Sequence, residues 1–382
     1  MSADVEVIPA TPSDGGVPTG RGTWSLSWHG LRTVAVLELR QRVRSTRWKT
    51  ALIVWFLMVG LITLLTTGAF SILAGNAYGA DESYGGTVYS IVVGFVLFLG
   101  LLVAPTLSSG AINGDRNAGT LATLQVTLLS PAEIVLGKLA AAWIAALAFL
   151  VASIPFLVWA LVGGGVSWLA LLTTVLMLAL VLGVVCAIGL GFSAVVGKTS
   201  GSAVLTYLTV GGITAVLPIL FGLLVPATTT TENVRVWAVE AGYTWEETTA
   251  PECEWQTQET QVWHSERTWW LLAPNPFVVV ADAQPLGDPE TLGEDENMLA
   301  VLQYGVRYAR TGDTGPQDWC TGVYMGEGRQ AESPVEPVEV TDQLVWPWGL
   351  GFDLLLGAAG VVVAVNRLRV PTAQLPQGTR VA

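Results

Sequence analysis

The chain has 382 residues, of which 52% are hydrophobic and only 13% charged, and its mean hydropathy is +0.55. A soluble domain carries about 25% charged residues, so a disordered tail is excluded and a plain globular enzyme is disfavoured. The net charge of -12 disfavours nucleic acid as a partner, and three cysteines are too few for a disulfide-rich scaffold or a multi-cysteine zinc site.

Residues 1–22 are polar and contain Pro9, Pro12 and Pro18, a composition that predicts a disordered leader. Residues 23–49 read as a basic helix. Trp28, Ala35, Val36, Leu39 and Val43 fall on one arc, and Arg40, Arg44 and Arg47 on another. That pattern suits a helix lying in a headgroup layer; a solvated basic flank is the alternative. Charges then vanish for 31 residues between Lys49 and Asp81, and for 32 between Glu82 and Asp115. After Lys138 come 59 uncharged residues, enough for two spans with a turn at Gly163, Gly164 and Gly165, and after Lys198 come 33. About 20 apolar residues cross a bilayer core as a helix, because no backbone polar group can be left unpaired there. The prediction is an all-α polytopic membrane protein with six spans, at about 51–74, 87–109, 139–162, 167–192, 203–225 and 346–366. Spans one to five occupy 50–226, with a loop at 110–138.

Basic residues set the orientation. With the N-terminus in the cytosol, inside segments hold 13 basic and 6 acidic residues, and outside segments 5 and 23. Both termini, including the basic tail 367–382, are therefore expected inside a plasma membrane. Residues 227–345 then form a large extracytoplasmic domain with seven of the 16 tryptophans. Cys253 and Cys320 lie there, facing an oxidising space, and a disulfide between them is the favoured reading over two buried thiols. Cys186, inside a span, reads as packing. Trp346, Trp348 and Trp48 sit where interfacial belt residues belong. Asp353 is the one ionisable residue inside a span. It is a pathway candidate, or a side chain that merely reaches the interface.

Several apparent motifs fail on context. Gly197-Lys198-Thr199-Ser200 resembles the end of a phosphate-binding loop, but Phe192 stands where the first glycine belongs. Gly189 and Gly191 read as a helix contact rather than a dinucleotide fingerprint. With only His29 and His264, no histidine pair can hold a metal, and no catalytic constellation emerges. Glu294, Asp295 and Glu296 lack the ordered spacing of a calcium loop.

The loop between spans two and three carries most information. Leu121, Leu124 and Leu128 recur at helical spacing, and Ser130, Pro131 and Glu133 form a capping box with proline at the first helical position. A short surface helix with an apolar stripe, joined rigidly to a span, suits docking into a groove of a cytosolic partner.

This segment resembles the signature region of ABC-2 type transporter permeases. The resemblance rests on Asp115-Arg116, Gly119-Thr120-Leu121, Leu124, Thr127, Ser130-Pro131, Glu133-Ile134 and Gly137-Lys138. Family members often have Glu where Asp115 stands. Six spans, a basic interfacial helix and a re-entrant-like stretch at 269–281 also fit; residues 227–267 and 284–345 exceed the family's usual outside loops. The resemblance implies the permease subunit of an ATP-driven exporter, without a nucleotide site or cofactor of its own. ATP and Mg would be used by a separate cytosolic ABC ATPase subunit. That subunit would dock at Asp115, Arg116, Gly119, Thr120, Leu121, Leu124, Ser130, Pro131 and Glu133. Further partners implied are a second permease copy or related permease, and membrane lipids. The alternative is a multi-span membrane-anchored binding or scaffold protein acting through its outside domain.

Overall fold

The structure is a computed structural model that describes residues 22–77, 85–119, 129–164, 166–240, 253–285, 297–312, 315–320, 333–336, 340 and 342–369. It is mostly helical, with six helices long and apolar enough to cross a membrane. The polytopic architecture expected from the charge-free runs is present. The leader falls outside the described residues, as do the loop residues Thr120, Leu121, Leu124 and Leu128, the acidic run 294–296 and most of the C-terminal tail.

Helix α1, Trp28–Arg44, is capped by Ser27, whose hydroxyl accepts from Gly30 N. One extended residue, Ser45, breaks it from α2, Thr46–Ala77. Next come α3, Gly85–Ser108, the short α4, Asn113–Asn117, α5, Pro131–Val162, and α6, Trp168–Val195. Helix α5 starts eight residues before the boundary read from sequence at 139. Lys138 looked like a charge outside the membrane, yet it lies within the helix and is buried.

The fifth span is interrupted. Helix α7, Thr199–Gly211, passes through a π turn, Gly212–Val216, into α8, Leu217–Leu223. Pro218 has no N–H to return to the carbonyl of Thr214 four residues back, so the ladder must open there. The freed Thr214 carbonyl accepts instead from Asn275 Nδ2 at 3.1 Å.

The chain then leaves the helical body through α9, Val225–Thr228, into an antiparallel hairpin of β1, Thr229–Val239, and β2, Cys253–Trp263. Its register pairs Thr229 with Trp263 and Val239 with Cys253. A short parallel strand β3, Gln317–Asp318, joins the other edge of β1. A disulfide links Cys253 to Cys320. Two helices, α10, Pro276–Asp282, and α11, Met298–Thr311, lead to the last span, α12, Trp346–Arg367.

The core lies where α3, α5, α6 and α12 meet, around Val92, Val96, Ala142, Ala146, Leu178 and Val185. Small residues let backbones approach where hydrocarbon gives no drive to associate. A Cβ on Gly191 would stand 2.7 Å from Gly360 Cα. Trp55 Nε1 donates to Ser153 Oγ at 2.9 Å, pinning α2 to α5.

Candidate functional site

The polar groups on the N-terminal face converge beside the loop between the second and third spans. Ser130 caps α5, accepting from Glu133 N at 3.1 Å, while Glu133 Oε2 accepts from Ser130 N at 2.8 Å. Pro131 fills the first helical position, where its missing N–H costs nothing. The second oxygen of Glu133 accepts from Ser27 N at 2.7 Å, so one fully buried carboxylate serves the first turns of both α1 and α5. Both helix dipoles favour a negative charge there. A Cβ on Gly30 would lie 2.8 Å from Glu133 Cδ, so the close approach requires glycine.

Further along α5, Lys138 is 1% exposed and its Nζ bonds Asp115 Oδ2 of α4 at 2.5 Å and Glu38 of α1. A buried ammonium is tolerable only when paired and hydrogen-bonded. This one ties the interfacial helix, the loop and the third span into one unit. Gly137 helps, since a Cβ there would meet Val34 Cβ at 2.7 Å. The face of α1 that packs is therefore Gly30, Val34 and Ala35, while Trp28 is exposed. Arg42 Nη2 donates to Leu107 O at 2.8 Å; burial lowers the pKa of its guanidinium, and nearby Glu38 opposes the shift. The start of the loop is anchored to α6 and α7. Ile112 N and Asn113 N donate to Ser193 Oγ at 3.0 and 3.2 Å, and Asn113 Nδ2 donates to Ser202 Oγ at 2.9 Å.

Beyond that anchor the chain turns outward. Arg116, Asn117, Ala118 and Gly119 are exposed, and Gly119 has φ +72°, a conformation other residues adopt only with strain. The structure thus holds Asp115, Ser130, Pro131 and Glu133 in a packed framework, with Ser130 and Glu133 buried, and leaves Arg116 and Gly119 on a solvent-facing turn. Thr120, Leu121 and Leu124 lie outside the described residues. Sequence reasoning missed Glu38 and Ser27 as members of this framework, because their partners are about a hundred residues away in the chain.

A second framework sits on the hairpin face. Asp282, fully buried, accepts from Arg307 Nε at 2.5 Å through Oδ1. Its Oδ2 accepts from Val345 N and Trp346 N, each at 2.7 Å. The C-terminal end of α10 therefore caps the N-terminus of the last span while α11 neutralises the cap. At the base of the hairpin, His264 Nδ1 faces Glu266 Oε1 at 2.7 Å, and its Nε2 faces Glu232 Oε1 at 3.0 Å and Thr230 Oγ1 at 2.8 Å. The Glu232 pKa is lowered, first by the Thr230 hydrogen bond and then by that of His264. Among the described residues no three such groups are arranged to hold a metal ion. Asp353 is 4% exposed and has no hydrogen-bond or ion-pair partner among the described residues.

The family described as ABC-2 family transporter protein matches residues 32–261, a stretch that runs from within α1 through the first five spans into β2. A comparison with curated proteins finds no match.

Proposed function

This chain belongs to the ABC-2 transporter family and is a membrane transport protein, and we propose that it is the permease subunit of an ATP-driven exporter. A separate cytosolic ABC ATPase docks on the loop after α4. The observation that supports this most is the Lys138 junction with Glu38 and Asp115. A push on the exposed turn at Arg116 to Gly119 cannot be absorbed locally, because Asp115 is fixed to α5 and, through Lys138, to α1. The displacement passes into the third span. Nucleotide and Mg belong to the partner, so this chain needs no cofactor.

The N-terminal face then lies in the cytosol and the hairpin face outside a plasma membrane, in line with the basic residues flanking α2 and α12. The first and fifth spans bury only 22% and 11% of their apolar stretch within the chain, which leaves their faces for lipid or for a second permease copy. Asp353 stands as a candidate on the transport path.

The test is ATPase co-purification and substrate-stimulated ATP hydrolysis in liposomes for a variant carrying Leu121→Glu and Leu124→Glu. Charges on an apolar docking stripe should abolish both, because the partner groove would have to bury them unpaired. Normal co-purification with full stimulation would overturn the coupling role of this loop, and a wild type that brings down no ATPase would favour the membrane-anchored scaffold.

A further inference from the structure

On the hairpin face, a groove of about 1000 Å³ runs between the fifth and sixth spans. Its walls are almost wholly apolar and include Leu217, Trp269, Trp270, Trp348, Phe352 and Leu355. Along α12 the lining extends from Pro347 to Ala358, which at 1.5 Å per residue is about 16 Å. Half of a bilayer hydrocarbon core is about 15 Å thick. The groove thus has the length of one leaflet and opens beside helices built to face hydrocarbon. Trp348, 62% exposed, stands at its upper end.

The charges around it are unlike the rest of that face. Residues 227–345 carry five arginines and no lysine against 21 carboxylates. Arg307 is neutralised by Asp282, and Arg235 stacks over Trp255 on the hairpin at 4.7 Å. Two others contact tryptophans that line the groove. Arg310 lies over the Trp269 ring at 4.8 Å and donates to Leu344 O, next to the start of α12. Arg267 is 57% exposed, its carbonyl accepts from Trp270 Nε1 at 3.1 Å, and its carboxylate neighbour Glu266 is 4.0 Å away and already engaged by His264. An anion is repelled by most of this face and attracted at this mouth.

We propose that the groove is a binding site for an anionic phospholipid of the adjoining leaflet. One acyl chain lies along α12 between Trp348 and Leu355, and the phosphate headgroup meets Arg267 and Arg310. Guanidinium and phosphate form charge-assisted bonds with either lipid, and the preference for an anionic over a zwitterionic lipid comes from the headgroup ammonium, which two arginines repel. The proposal does not depend on how the opposite face engages an ATPase.

The experiment titrates the detergent-purified full chain with phosphatidylglycerol or phosphatidylcholine of identical chains and counts bound lipid by native mass spectrometry. The wild type should hold phosphatidylglycerol about tenfold more tightly, a difference of ~1.4 kcal/mol. Arg267→Gln with Arg310→Gln should erase that preference. Gly351→Leu should weaken both lipids about tenfold. A Cβ at Gly351 meets nothing within 4 Å, so the new side chain enters the groove without disturbing the fold. Equal retention of the two lipids by the wild type, or unchanged retention in Gly351→Leu, would overturn the site. So would efficient crosslinking of a Gly351→Cys variant to a second copy, since the groove would then be a protein contact.

Discussion

Glu133 does with one carboxylate what two helix N-termini ordinarily need separate caps to do. Its oxygens take the N–H groups of Ser27 and Ser130. Glu133→Ala should therefore leave the buried Ser130 donor unpaired, at about 1–3 kcal/mol, and the part-buried Ser27 donor at less. Detergent-solubilised protein should unfold at lower denaturant, and proteolysis near Ser45 should come earlier as α1 detaches. A variant with unchanged midpoint and cleavage would show that water replaces the carboxylate. At the other face, Glu232 gives a pH dependence. Its pKa is lowered, so the stabilisation from its contacts with Thr230 and His264 is present above the ordinary carboxylate range and is lost as pH falls through the lowered value. A carbon-13 titration should place the Glu232 inflection below that of an ordinary exposed glutamate, and Thr230→Val should move it back up. An inflection unaffected by Thr230→Val would remove the hydroxyl from the explanation.

Among the elements, the last span is the one whose ends depend most on other parts of the chain. Pro347 has no N–H, and the two preceding amides go to Asp282. Arg307→Met would leave that carboxylate buried without its counter-charge, which costs about 3–5 kcal/mol. Segment 283–312 should then become protease-sensitive while the spans remain inserted, and Asp282→Asn combined with Arg307→Met should recover part of the loss. Equal sensitivity in the wild type would show that the pair does not hold α11 down. The element scale is also where the sequence is least explicit. Spans announce themselves, since a run without charges is a local property and hydrocarbon tolerates nothing else. The capping box at Ser130 and Glu133 is local too, a spacing of three. The Asp282–Arg307 pair has no such mark, because it joins two helices 25 residues apart and its meaning depends on where the last span begins. Lys138 was visible as a charge and as part of the Gly137-Lys138 pair; that it is buried within a helix follows from Glu38 and Asp115 arriving from elsewhere. The hairpin escaped because half its residues are polar on both faces, so period-two alternation is weak. The π turn escaped because a proline within an apolar run is common in spans, and only the Asn275 contact explains how the freed carbonyl is satisfied.

For the molecule as a whole, the disulfide and the two polar frameworks divide the labour. The Cys253–Cys320 bond spans 67 positions and ties the end of β3 to the loop end of the hairpin, a closure that contributes about 4 kcal/mol in the chain-entropy description. Reduction should open residues 229–320 to protease without releasing any span, because the helix packing and the polar contacts that hold the spans do not involve the disulfide. Loss of the spans on reduction would mean that the hairpin supports the membrane body. Asp282 has a consequence of a different kind, in the order of synthesis. It leaves the ribosome 63 residues ahead of Val345. When the last hydrophobic segment emerges, the acceptor for its first amides already exists, and Arg307 has been made to hold that acceptor charged. The sixth helix thus completes biogenesis by joining a finished socket, and a chain truncated after Thr311 would present that socket empty.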